Sequence, residues 1–370
     1  MKSLWSDAEA AQFTGPLGPR VYSSRLLGRD KSLVLHGGGN TSVKLREKNL
    51  FGEDRDVLYV KGSGWDLESI EAAGFTPVEL DYVRRLADLP ALSDRQMVNE
   101  LNTHSLRAGA PAPSVETILH AILPQTYVDH THADAMLSIS NAPAGENRIR
   151  EIYGDRVVVI PYVMPGFDLA AVCARAFREH AGAATMGMVL LSHGMFSFGK
   201  TARESYERMI ELVSMAENHL RDHAAWDLSP PAPRREPVPR EDIAALRRAI
   251  SHAATGPMLL RMSDSAKLLG FAQHPDVARL SQQGPATPDH VIRTKPLPMI
   301  GRDVAAFGRR YAAYFERHAP NAKESKAMLD VAPRMLLDPE LGFASAGRSA
   351  KDVAIIEDLY DHTVDVILRA

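Results

Sequence analysis

Short apolar blocks and longer amphipathic stretches alternate along the first two thirds of this chain. Runs at residues 32–35, 41–45, 57–60, 126–132, 157–160 and 188–191 are brief, β-branched or aliphatic, and closed by Gly, Pro or Asn, which predicts strands. Between them, residues 79–87, 94–108, 115–123, 169–179 and 202–223 carry apolar positions at helical spacing. Residues 5–27 read as a helix capped near Ser6 followed by a turn. The alternation predicts an α/β fold. Several strands lie too close together for pure βαβ units, so the expected sheet is mixed or largely antiparallel and covered by helices.

Residues 229–240, SPPAPRREPVPR, hold five prolines among mixed charges and break the pattern. This is expected to be a surface linker, dividing a catalytic domain at 1–228 from an extension at 241–370. The extension reads as mainly helical, most clearly at 242–253 and 303–318. One echo crosses the linker: LLSHGMFSFGKTARE from residue 190 and LLDPELGFASAGRSAKD from residue 336 both suggest strand, loop, Gly-basic-Ser/Thr turn and long helix. Aligned on their Leu-Leu pairs, the second stretch holds two more residues between strand and turn. A degenerate second copy and a chance likeness both fit that pattern; in a true copy, nothing after Leu337 replaces His193.

Composition narrows the partners. A formal net charge of -3 without a long basic run argues against nucleic acid. The single cysteine, Cys173, allows no intrachain disulfide and fits a reducing compartment. MKSLWSDAEAAQ lacks the apolar core of a signal peptide, and no apolar run approaches the ~18 residues of a membrane span. A cytoplasmic protein without a membrane partner is expected.

The candidate chemistry begins at YVDHTHAD. On a strand, side chains two apart share a face, so His130 and His132 project together while Thr131 points away. Two imidazoles so placed can take two corners of a tetrahedral zinc site, and a catalytic site wants a third protein ligand. MVLLSHG reads as a buried strand ending at His193-Gly194, which makes His193 the natural third ligand. Any one of the chain's 14 histidines is more often a satisfied polar group; the weight rests on the His-x-His pair and its surroundings. Upstream, Ser114 is placed to cap a helix whose first turn carries Glu116, a further ligand or a general base. His120, one turn later, is expected to support that site rather than ligate.

Two glycine-rich loops add anion-binding potential. HGGGNTS at 36–42 lacks the spacing of a dinucleotide loop and the ending of a P-loop, yet its backbone N–H groups and short polar side chains can face an oxyanion. KGSG at 61–64 follows a strand and precedes Asp66, a possible helix cap, which also suits an anion. A tight hairpin turn and a solvated lysine are the plain alternatives.

Taken together and in order, HGGGNTSVK, VKGSGWDL, PSVETILH, VDHTHAD, IPYVMPG and LLSHGMFSFGKTARE resemble the class II aldolase/adducin family from about residue 27 to 223. The later TPDHVIRTKPLPM is similar to the aldolase part of the bifunctional rhamnulose-1-phosphate aldolase/alcohol dehydrogenases; no dinucleotide fingerprint for a dehydrogenase half accompanies it. The resemblance implies a three-layer α/β/α fold with a mixed, largely antiparallel central sheet. It implies Zn2+ or another divalent metal on His130, His132 and His193, with Glu116 moving the proton. Gly39, Asn40, Thr41, Ser63, Gly64 and Ser114 would line the phosphate site of a ketose 1-phosphate. Tyr162 resembles a proton donor that members contribute to a neighbouring subunit, within a homo-oligomer that is usually a tetramer. Val115 stands where family aldolases commonly show a second serine, which removes one phosphate donor.

The implied reaction is aldol cleavage to dihydroxyacetone phosphate and an aldehyde, the carbanion being held as a metal-stabilised enediolate. The same site suits decarboxylation of a sugar acid or epimerisation of a pentulose phosphate. A non-catalytic adducin-like scaffold is the reading from another class, and the intact histidines and Glu116 weigh against it.

Overall fold

The computed structural model describes the whole chain except residues 229–232, 235–236 and 323. Half of the expected linker therefore lies outside the described residues. The chain divides into two compact units, Met1–Trp226 with the last two residues, and Asp227–Leu368.

The first unit opens with α1 (Asp7–Ala10), whose N-cap Ser6 accepts the Glu9 N–H, and α2 (Gly18–Arg29). Strands β1 (Asn40–Lys48), β2 (Asp54–Lys61) and β3 (Phe75–Glu79) form a meander, followed by α3 (Leu80–Leu86), α4 (Asp94–Thr103) and α5 (Thr117–Ile122). Then come β4 (Tyr127–Thr131), α6 (Asp134–Ser140), α7 (Gly145–Tyr153), β5 (Val157–Ile160), α8 (Phe167–His180), the hairpin β6 (Gly187–Leu190) and β7 (Gly194–Gly199), and α9 (Ala202–Asp222). The sheet order is β3-β2-β1-β4-β7-β6-β5, antiparallel throughout except for the parallel β5·β6 pair. Helices α3, α5 and α8 pack on one another at one face, and α2, α6, α7 and α9 cover the other. The fold is the expected three-layer α/β/α arrangement with a mixed, largely antiparallel sheet.

Two sequence expectations fail here. Residues 32–35 form a turn and an irregular segment rather than a strand, with the Ser32 and Leu33 carbonyls accepting from the Asp134 and His132 N–H groups beyond β4. The strand expected to end at His193 stops at Leu190, and His193 lies in a three-residue turn leading to β7. Sequence reading also missed β3, β7, α6 and α7.

Behind β4 lies the most buried polar cluster of this unit. The Arg20 guanidinium and Asp129 carboxylate pair at 2.5 Å with neither side chain exposed. Arg20 also donates to Ser23 Oγ and the Ser42 and Val128 carbonyls, and Ser205 Oγ donates to Asp129 at 2.6 Å. The pair clamps α2 and α9 onto the back of the strand that carries His130.

The second unit contains α10 (Arg240–Ala253), β8 (Leu259–Met262), α11 (Ala266–Ala272), α12 (Val277–Leu280), α13 (His290–Arg293), β9 (Met299–Ile300), α14 (Val304–His318), β10 (Met335–Asp338), β11 (Gly342–Gly347) and α15 (Ala350–Arg369). Its four-stranded sheet, β8-β11-β10-β9, lies among these helices, so the extension is α/β as expected. That order repeats β4-β7-β6-β5 with the same sense at every pair. Leu190 pairs with Gly194 as Asp338 pairs with Gly342, and Tyr127 faces Gly199 as Leu259 faces Gly347. The copies therefore match at one constant offset through hairpin and helix. The two extra residues expected in the second copy came from matching Leu-Leu pairs that occupy different strand positions. His130 and His193 correspond to Met262 and Leu341.

Arg20→Met leaves Asp129 buried without its cation. The expected cost is ~3–5 kcal/mol in the hydrogen-exchange protection of β4 amides in the full chain, and unchanged protection would refute the clamp.

Candidate metal centre

β4 delivers His130 at its end and His132 just beyond it, and the β6–β7 turn brings His193 against them. All three imidazoles are buried, and one nitrogen of each lies within 4.8 Å of the others. Ser192, at φ 55°, holds the left-handed conformation that turns the chain into His193. Gly194 follows because a Cβ there would sit 2.4 Å from the Thr131 carbonyl and 2.8 Å from the His132 ring. His130 Nδ1 lies 3.0 Å from the Met195 carbonyl, which takes its proton and leaves the Nε2 lone pair facing inward. His130 Nε2 and His132 Nε2 then stand 3.1 Å apart. Burial drives the His130 imidazole well below its usual range despite the pull of Glu116, so the ring is a neutral donor.

Glu116 closes the group, with Oε1 3.3 Å from His193 Nε2 and Oε2 3.4 Å from His130 Nε2. Burial raises its carboxyl. Its interactions with His130 and His193 and the Asn40 amide outweigh that, holding it well below the ordinary carboxylate range. Oε1 has no hydrogen-bond partner although it is sealed from water. A buried carboxylate oxygen without a hydrogen-bond donor, facing three buried imidazoles, fits a divalent cation, which His130, His132 and His193 would hold.

The surrounding loops are knit to this cluster. Asn40 opens β1 opposite His130, and Gly39 precedes it at φ 60°, where a Cβ would lie 2.6 Å from the His130 carbonyl. Lys61 is buried with Nζ 2.7 Å from the Gly37 carbonyl, so it ties the two glycine loops together. Gly62 bridges to Pro113, and the Ser63 N–H donates to the Ala112 carbonyl at 2.8 Å. The segments 36–40, 61–64 and 112–116 thus meet at one place.

Residues 20–220 match the model of the Class II Aldolase and Adducin N-terminal domain, and residues 238–370 match that of Aldolase class II, second domain. The chain belongs to the class II aldolase and adducin family. It is 33% identical over 395 residues to YuxG of Bacillus subtilis (strain 168), described as an uncharacterized oxidoreductase; the match takes in 100% of this chain and 56% of that protein. The chain thus spans about half the length of the curated relative it matches. The N-terminal class II aldolase domain of a conserved protein from Thermoplasma acidophilum is 41% identical, covering 60% of this chain and 99% of its own with a TM-score of 0.55. An L-fuculose-1-phosphate aldolase from Thermus thermophilus is 18% identical over 57% of this chain and 98% of its own, with a TM-score of 0.35.

Within this member of the class II aldolase and adducin family the named site residues divide. His130, His132, His193, Glu116 and Asn40 form the buried cluster, with Gly39 and Ser114 at its edge. Ser63 and Gly64 are exposed on the adjoining loop. Thr41 faces away, fully buried, with its hydroxyl 2.8 Å from Ser24 Oγ. Tyr162 is 57% exposed after β5, and its hydroxyl lies 3.8 Å from the Met164 sulfur. Ser114 does not cap α5 with its side chain. The N-cap is Glu116 itself, whose N–H donates to Ser114 Oγ at 3.3 Å, so the carboxylate sits before the helix rather than in its first turn. Sequence reading did not find the links of Asn40 and Ser42 to His120. Their spacing of two on β1 was the available signal, and it became legible only with the neighbouring helix in place.

The full chain is expected to bind one divalent ion, and His132→Ala or His193→Ala to bind less than a tenth of an equivalent. Metal analysis after gel filtration reads both values; full occupancy in both variants would dismiss this centre.

Proposed function

We propose that this chain is a zinc-dependent aldolase that cleaves a ketose 1-phosphate of the rhamnulose or fuculose type to dihydroxyacetone phosphate and an aldehyde. The observation that carries the reading is the convergence, in a member of this family, of three buried imidazoles with the buried carboxylate of Glu116. A divalent ion held by His130, His132 and His193 would act as the Lewis acid that polarises the substrate's carbonyl and hydroxyl oxygens.

The protein's own groups supply the rest. Glu116, ionised and within reach of that centre, accepts the hydroxyl proton as the carbon–carbon bond breaks, then returns a proton to the carbon left electron-rich. Burial of the three histidines and of Glu116 strengthens the electrostatic contacts among them. Ser63, Gly64 and Ser114 lie on the loops beside the cluster and suit the substrate's anionic end; Gly39 presents backbone there. Exposed Tyr162 suits proton donation into a neighbouring subunit's site, which makes a homo-oligomer, commonly a tetramer in this family, part of the proposal. No helix among the described residues is long and apolar enough to cross a membrane, consistent with a cytoplasmic enzyme acting on a small sugar phosphate.

Val115 favours a second reading. It is 48% exposed beside Glu116, so an apolar side chain stands where a further phosphate donor would be useful. A decarboxylase or pentulose-phosphate epimerase with other demands on that subsite fits the same metal and base.

Release of dihydroxyacetone phosphate from rhamnulose 1-phosphate and fuculose 1-phosphate, with and without a strong chelator, tests the proposal. Chelator-sensitive release is expected; none from zinc-loaded protein would turn the assignment to the second reading. Glu116→Gln is expected to keep its metal and lose about 10²–10⁴-fold in kcat, the range typical of a removed general base.

A further inference from the structure

Behind Glu116 runs a line of three buried side chains that the aldol chemistry leaves without a task. Ser42 Oγ lies 2.7 Å from His120 Nδ1. His120 Nε2 is hydrogen-bonded to Asn40 Oδ1. Asn40 Nδ2 donates to Glu116 Oε2 at 2.6 Å and to Ser114 Oγ at 3.2 Å. The ring of His120 is fully buried and lies edge-on to Phe196, its centroid 5.4 Å away.

Hydrogen-bond directions along this line follow from the Asn40 amide, whose Nδ2 lies against both Glu116 Oε2 and Ser114 Oγ and donates to them. The amide oxygen is thereby turned to His120, whose Nε2 must carry the proton. Nδ1 is then an acceptor and takes the Ser42 hydroxyl proton. Burial holds the His120 imidazole down at about 3, so it stays a single-proton ring at any working pH. Every donor therefore points toward Glu116.

We propose that His120 is a positioning residue that, braced by Ser42, locks the Asn40 amide with its N–H toward Glu116 and so fixes the acid/base carboxylate throughout the catalytic cycle. The inference rests on the role of Glu116 in the proposed function. Its physical reason appears in mid-reaction. Once Glu116 carries a proton, the carboxylate no longer opposes rotation of the amide, and the His120 N–H alone keeps Asn40 from flipping. Substrate specificity follows as well. Both N–H bonds of Asn40 are committed, so this residue has no donor for a substrate phosphate. Ser114 Oγ accepts from Asn40 and from the Glu116 N–H, which uses both its lone pairs and leaves its own O–H to donate to the substrate.

Two measurements on the full chain test this. In histidine-labelled protein, ¹⁵N shifts should show His120 neutral with its proton on Nε2, with or without zinc. Ser42→Ala should release some of the population to the other tautomer. A proton on Nδ1 in the parent protein overturns the proposal whatever substrate the enzyme takes, so this arm stands even if no aldol release is found. In the kinetic arm, His120→Leu is expected to lower kcat about 10²-fold, with KM and bound metal changed less than about twofold. His120→Gln, which offers an N–H near the Nε2 position, should recover most of that loss. A Gln variant as impaired as the Leu variant, or loss of metal in both, would make His120 a packing residue and end the proposal.

Discussion

Glu116 is ionised and nearly sealed from water, and much of the first unit is arranged around that fact. A carboxylate in such a place is tolerated only if donors and positive charge surround it, since an unpaired buried charge costs several kcal/mol. Asn40 supplies one donor, and the imidazoles of His130 and His193 approach from the other side. One oxygen remains without a hydrogen-bond donor, and a divalent ion held by the three histidines would complete the set. The same burial that makes the carboxylate costly keeps His130 neutral, and a neutral ring is the form that ligates.

Holding these groups in register falls to β4 and its neighbours. β4 lies between β1 and β7, so a single strand addresses Asn40 on one side and the His193 turn on the other. Its two faces serve different purposes. His130 faces the site, while Asp129 faces the opposite layer and is locked there by Arg20 and Ser205. The close approaches at Gly39 and Gly194 allow the loops to come down onto the histidines. Precision of this kind comes from regular strands and buried ion pairs rather than from the loops alone.

The second unit shows the same four-strand layout without the chemistry. Met262 and Leu341 occupy the positions of His130 and His193, and β8, unlike β4, has no β1–β3 meander beside it. Without an equivalent of Asn40 on a neighbouring strand, the carboxylate arrangement has no frame on which to form. Scaffold and site are therefore separable. The hairpin-and-helix unit packs by apolar burial in both copies, and the polar cluster belongs only to the copy that adds the meander.

The α/β alternation and the convergence of His130 and His132 were legible in the sequence, because each depends on local periodicity. The glycine loops and Glu116 could be singled out as chemistry for the same reason. Their meeting could not be derived from spacing. Asn40 and Glu116 lie 76 positions apart and Asn40 and His120 lie 80 apart, so their contact depends on β1 pairing with β4 and on α5 packing against that sheet. Tertiary structure also decided that His193 stands in a turn rather than at a strand end, that Thr41 points to Ser24, and that the two copies share one offset through hairpin and helix. Strand grammar specifies which side chains share a face. Which face meets which partner is settled only when the strands pair and the helices cover them.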